Sequence, residues 1–170
     1  LNMIKKLLAV LFLAAAGPIS AQTLTFTNKA DMITPRAGFS SGNDGTFQYI
    51  ANGFSSLQPY TSQIEKYDFA NNSWSTFGTS VPTIAKRYGN GGVLSDKLYL
   101  YNGVTSTGRN DKLEIVNLTT GEVTLGPNLN PNPVYSAGSA IYGDYLLSFG
   151  GCVSEFEGIY SNKFYTFDEE

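Results

Sequence analysis

Two sets of landmarks recur along this chain with a period of about fifty residues, and a period of that length decides architecture before any single element is assigned. The first set is Tyr49-Ile50-Ala51-Asn52-Gly53, Tyr99-Leu100-Tyr101-Asn102-Gly103 and Leu147-Ser148-Phe149-Gly150-Gly151, with offsets of 50 and 48 residues. The second is Ile64-Glu65-Lys66-Tyr67-Asp68, Leu113-Glu114-Ile115-Val116-Asn117 and Phe164-Tyr165-Thr166-Phe167-Asp168, with offsets of 49 and 51. Turn chemistry repeats in step. Gly45, Ser95 and Gly143 each stand eight residues before the last glycine of the first landmark, where two strands must reverse. Asn72 and Gly121 each follow the second landmark by four residues, and both tolerate the positive φ of a tight hairpin. Trp74 and Val123 then take equivalent large apolar positions.

Between these turns the residues alternate, as Leu98 and Leu100 do with Tyr99 and Tyr101, and aromatic and β-branched types abound. That is strand periodicity in short pieces. The expected fold class is all-β, with four-stranded antiparallel sheets repeated as the blades of a β-propeller. A plain sandwich would explain the strands and leave the repeat unexplained.

The chain opens with Lys5 and Lys6, an apolar run of 10 residues from Leu7 to Ala16, and then Gly17-Pro18-Ile19-Ser20-Ala21. This is the layout of a secretory signal peptide cleaved after Ala21, and the run is too short to span a bilayer core of about 30 Å. Residues 1–21 are therefore expected to be a signal peptide, and the product secreted, periplasmic or at the cell surface, without a membrane span. Removing them takes two lysines and moves the net charge from −3 to −5. No Lys/Arg cluster occurs, so a surface that tracks phosphates, and with it a nucleic-acid partner, is not expected.

Histidine is absent, which excludes Ser-His-Asp and Cys-His nucleophilic sites and removes the commonest zinc and copper ligand. Cys152 is the single cysteine, so no intrachain disulfide forms, and its apolar neighbourhood suits a small buried filler. No metal site and no cofactor are expected.

These residues resemble the kelch repeat, whose pattern is a Pro-Arg start, a strand ending in a glycine pair, a Tyr-Asp pair, and a tryptophan six residues after the Asp. Pro35-Arg36, Asn52-Gly53, Tyr67-Asp68 and Trp74 follow it in the first repeat. The second keeps Arg87 and Asn102-Gly103 and has Val116-Asn117 and Val123 elsewhere; the third has Gly150-Gly151 and Phe167-Asp168, with Tyr135 where the arginine would stand. The resemblance implies a kelch-like repeat region over 22–170: an outer strand at 22–34, where Thr23 to Thr27 alternates, then repeats at 35–84, 85–132 and 133–170, the last truncated. Glycine pairs, Tyr, Trp and Asp or Asn serve mainly as scaffold in such a fold.

About three repeats are fewer than the four to eight blades of a propeller. Either further C-terminal repeats complete it, which is the preferred expectation, or copies assemble head to tail.

In the family, ligands sit on loops at one face of the propeller. The loops after the glycine landmarks, 54–63, 104–109 and 153–162, carry Gln58, Tyr60, Arg109, Glu155, Glu157 and Tyr160, and loops carry function more often than the scaffold below them. Arg36 and Arg87 either line the channel mouth and grip an acidic group or bond carbonyl groups that hold their blades. Glu155 and Glu157 are a close carboxylate pair, without the fixed separation a glycosidase needs or the oxygen count of a calcium site. No catalytic residue is assigned. The chain reads as an exported binding module for a protein or carbohydrate partner. The alternative is part of a secreted kelch-type carbohydrate-active enzyme, similar to sialic-acid epimerases, or to galactose oxidase if further repeats supply copper ligands.

Overall fold

A computed structural model describes residues 24–126, 130–154 and 158–168, so the expected signal peptide lies outside the described residues. Among those described there is no helix, and hence none long and apolar enough to cross a membrane. The described residues form thirteen strands in antiparallel sheets.

The first sheet orders β1 (Ser40–Asn43), β2 (Phe47–Ala51), β3 (Ile64–Asp68) and β4 (Ser73–Phe77) side by side. The second repeats that order with β5 (Asn90–Leu94), β6 (Lys97–Tyr101), β9 (Glu114–Asn117) and β10 (Val123–Leu125). Between β6 and β9 lies a small hairpin of β7 (Val104–Thr105) and β8 (Gly108–Arg109), a segment expected to be irregular loop. The third sheet holds β11 (Gly138–Tyr142), β12 (Tyr145–Phe149) and β13 (Phe164–Phe167).

Register repeats with the landmarks. Tyr67 lies opposite Trp74 in the first sheet, and Val116 opposite Val123 in the second. The Asp68 carboxylate accepts the amides of Ala70 and Asn71, and the Asn117 side-chain oxygen accepts those of Thr119 and Thr120. Asn72 and Gly121, the turn positions singled out by spacing, have φ of 49° and 74°.

The alternation on β6 has a packing cause. Leu98 and Leu100 join Tyr49, Ala51, Ile64 and Val116 in a core between the first and second sheets, while Tyr99 and Tyr101 join Leu146 in a core between the second and third. Both faces of β6 are thus apolar because the second sheet is enclosed on both sides, and Leu98 and Leu100 are fully buried. A half-solvated strand would need a polar face.

At the end of each sheet's second strand the chain turns through consecutive left-handed residues: Asn52 and Gly53 (φ 62° and 96°), Asn102 and Gly103 (58° and 92°), Gly150 and Gly151 (67° and 94°). Asn and Gly are the residues that take this conformation at least cost. The turn carries the contact between sheets: the Gly53 amide donates to the Lys86 carbonyl, and the Gly103 amide to that of Val134. The buried Asn52 side chain donates to Thr83 Oγ1 and the Ile84 carbonyl. Asn102 donates to Asn90 and Ser148 and accepts from Asn130.

Leu24 to Lys29, within the expected outer strand at 22–34, pair with no strand; Leu24 and Phe26 are 79% and 91% exposed. An outer strand needs a neighbouring sheet edge, and this segment instead runs on to the first sheet. There the Ala30 amide donates to Asn72 Oδ1, and the Trp74 indole to the Ala30 carbonyl. Cys152, expected as a buried filler, is a half-buried free thiol on a rung between Tyr135 and Tyr160.

Candidate functional site

Arg36 turns inward. Its guanidinium pairs with Glu65 and also donates to the carbonyls of Thr34, Asn52 and Gln63, at 3.4, 3.3 and 3.2 Å. The Glu65 carboxylate in turn accepts the Ile33 amide at 3.1 Å. Of the two roles open to it, Arg36 has the structural one.

Its counterpart in the second sheet is Lys86. The rungs Ala37–Phe54, Arg87–Val104 and Tyr135–Cys152 align Ala37 with Arg87 and Tyr135, which places Arg36, Lys86 and Val134 in one register position. The reading of Arg87 and Tyr135 as the equivalents of Arg36 is therefore corrected by one residue. Lys86 is fully buried, pairs with Glu114, and donates to the Leu100 carbonyl. Burial pulls the pKa of its ammonium down, partly offset by the Glu114 charge. Val134, also buried, takes the position in the third sheet without a charge.

Freed from that role, Arg87 faces the loops. Its guanidinium carbon lies 5.0 Å from the centre of the Tyr60 ring and 5.5 Å from those of Phe54 and Tyr88, within the range of cation–π attraction. Its Nε is buried without a hydrogen-bond partner, and among the described residues no carboxylate pairs with it.

The loops that follow the glycine landmarks share one geometry. The amides of Thr61, Asn110 and Ser161 each return to the carbonyl of Gly53, Gly103 and Gly151 respectively. The residues just before them, Tyr60, Arg109 and Tyr160, consequently hold one position in three successive sheets. Tyr160 is 74% exposed. Arg109 is exposed and tied down only by a bond from Nη1 to the Pro133 carbonyl at 2.9 Å. At the β7–β8 hairpin the rungs Arg87–Val104 and Val104–Arg109 set the two arginines on either side of Val104.

Gln58 and Tyr60, with Thr61 and Gln63, line an open depression of about 310 Å³. The Ser55 hydroxyl accepts the amides of Leu57 and Gln58 and shapes its rim. The structure thus gathers Gln58, Tyr60 and Arg87 into one place, sets Arg109 and Tyr160 at the positions equivalent to Tyr60 after the next two landmark glycines, and withdraws Arg36. Glu155 and Glu157 lie outside the described residues.

Phe54 and Tyr88 belong to the site and were not picked from the sequence. Tyr88 has φ of 56°, and Gly38 and Ser136, at the same position in the neighbouring sheets, have 59° and 52°. The Tyr88 amide donates to the Gly38 carbonyl at 2.6 Å, and the Ser136 amide to the Tyr88 carbonyl at 2.9 Å. A left-handed conformation costs a bulky residue about 1–2 kcal/mol, and such outliers gather where function holds them. The Tyr88 ring rests against Phe54, 5.4 Å between centres, and faces Tyr135 at 6.3 Å.

Among the described residues no three His, Cys, Asp or Glu side chains come together as metal ligands would. Fold and site together define an all-β protein of stacked antiparallel sheets with an aromatic and cationic surface built on equivalent loops. Compared with known proteins, the chain matches no family model and no curated protein.

Proposed function

We propose that this chain is an exported, kelch-like propeller segment that binds a protein or carbohydrate partner through the loops at one face. The observation that carries the reading is the meeting of Tyr60, from the loop after Gly53, with the adjacent Arg87 and Tyr88, together with Tyr60, Arg109 and Tyr160 in one repeated position. Half-exposed tyrosines offer flat faces that lose little entropy on binding, and arginines offer a preorganised fork. The four-strand order repeated in two sheets and the left-handed turns after each landmark support the propeller part of the reading. The basic, apolar and small-residue order of residues 1–21 supports export.

Glycan and peptide arrays probed with the intact protein test the function. Capture of at least one glycan or peptide that Tyr60→Ala lowers tenfold or more is expected. Capture indifferent to Tyr60→Ala, or no capture on either array, would overturn it.

A further inference from the structure

Arg36, Lys86 and Arg87 stand on the segments that lead into the first and second sheets, and their charges are met in different ways. Arg36 is neutralised by Glu65 and Lys86 by Glu114, both inside the protein. Arg87, next in sequence to Lys86, has neither: its Nε is buried without an acceptor, and the rings of Phe54, Tyr60 and Tyr88 lie about its guanidinium. Arg109, a rung away, spends one nitrogen on the Pro133 carbonyl and is also without a carboxylate among the described residues. A chain of net charge −3 has carboxylates to spare, and it places them on the other two cations. A guanidinium that no carboxylate neutralises can pair with an anion brought from outside through the nitrogens other than the enclosed Nε.

The surroundings indicate what brings it. Tyr60 lies against Arg87 and also lines the depression, where the amide and hydroxyl side chains of Gln58, Thr61, Ser62 and Gln63 stand beside Leu57, Pro59 and Ala85. Amides and hydroxyls beside an aromatic face suit the hydroxyl-covered edge and apolar face of a pyranose. A peptide anchor would call for a closed apolar pocket, and the depression is open.

We propose that Arg87 and Arg109 read the carboxylate of an acidic saccharide, of the uronic-acid class, whose ring lies in the depression against Tyr60. The proposal rests on the binding reading above and specifies its ligand. The guanidinium fork takes the carboxylate through two parallel hydrogen bonds, Tyr60 stacks on the sugar, and Gln58 and Gln63 bond its hydroxyls.

The test is a glycan array carrying uronate-bearing oligosaccharides beside their carboxyl-reduced counterparts, with acidic peptides as a third set, followed by calorimetry on the best ligand. At least one uronate oligosaccharide is expected to bind ten times more tightly than its reduced form, and to lose tenfold or more with Arg87→Gln and with Arg109→Gln. Circular dichroism checks that both variants keep the wild-type fold, and Arg87→Lys is expected to recover only part of the loss. The proposal is overturned by equal binding of uronate and reduced forms, by Arg87→Gln leaving uronate affinity unchanged, or by acidic peptides binding where no uronate does. If neutral glycans bind through Tyr60 and ignore both arginines, the binding reading stands and this one falls; if nothing binds, both fall.

Discussion

The Lys86 ammonium, wholly enclosed, is neutralised by Glu114 at the register position where Arg36 meets Glu65 one sheet earlier. Each carboxylate also accepts a backbone amide from the segment that enters its sheet, Ile33 for Glu65 and Ile84 for Glu114. The pair therefore ties the start of a sheet to its third strand. Removing one partner strands the other in the interior, at a cost of about 3–5 kcal/mol, whereas replacing both with apolar residues is often neutral. Lys86→Met and Glu114→Leu are each expected to lower unfolding free energy by that amount, with the double variant losing far less than the sum of the two. Strict additivity in urea denaturation would show that the two charges do not depend on each other.

Stability is expected to fall in alkali through Tyr101. Burial pushes its hydroxyl pKa up to about 12 from 10.0. The unfolded chain releases this proton from pH 10 upward while the folded chain keeps it, so the tyrosine's contribution is complete below pH 10 and is lost as pH rises from 10 to about 12. A shift of that size corresponds to about 3 kcal/mol. Tyr101→Phe forgoes the bond to the Leu147 carbonyl, about 1 kcal/mol, and should flatten the limb. Tyr49, whose pKa burial and Asp44 also raise, leaves a residual slope. A limb of unchanged steepness in thermal melts of Tyr101→Phe would assign the effect elsewhere.

Close approach of β1 and β5 requires the absence of a side chain at Gly91, where a Cβ would lie 2.8 Å from the Ser41 carbonyl oxygen and 3.0 Å from its amide nitrogen. Gly91→Ala is expected to destabilise by about 2 kcal/mol or more, in the range of overpacked cores. Gly78 has open space around it and no left-handed φ, so Gly78→Ala should lie within about 1 kcal/mol of wild type. Equal effects in paired melts would mean that the two strands can part without cost.

Tyr88→Gly separates strain from use. Glycine takes a φ of 56° freely, which returns about 1–2 kcal/mol of backbone cost, against the loss of the ring contacts with Phe54 and Arg87. The expected result is a folded variant within about 1 kcal/mol of wild type that loses ligand capture, the pattern of a residue kept for function at the expense of stability. Undiminished capture would remove Tyr88 from the site.

The sheet architecture was legible because its causes are local and periodic. Asp68 and Asn117 closing their hairpins, and Asn72 and Gly121 turning left, follow from residue type at a fixed distance. The counterpart of Arg36 was misread because matching arginine to arginine outweighed spacing, although Arg36, Lys86 and Val134 all stand 17 residues before a landmark glycine. That count was the available signal. Tyr88 stands 15 before its glycine, as Gly38 and Ser136 do before theirs, yet nothing in a tyrosine announces a left-handed backbone. The equivalence of Tyr60, Arg109 and Tyr160 was hidden more deeply. Their loops differ in length, and only the returning amide bonds to the three glycine carbonyls bring them into register.

The backbone bonds from Tyr88 to Gly38 and from Ser136 to Tyr88 join the three sheets hand to hand. Among the described residues the main packing runs from each sheet to the next, so stability is expected to be shared between the sheets and the interfaces that join them. The second sheet shares a core with each of the other two, so its loss would remove both of the cores that join the described sheets.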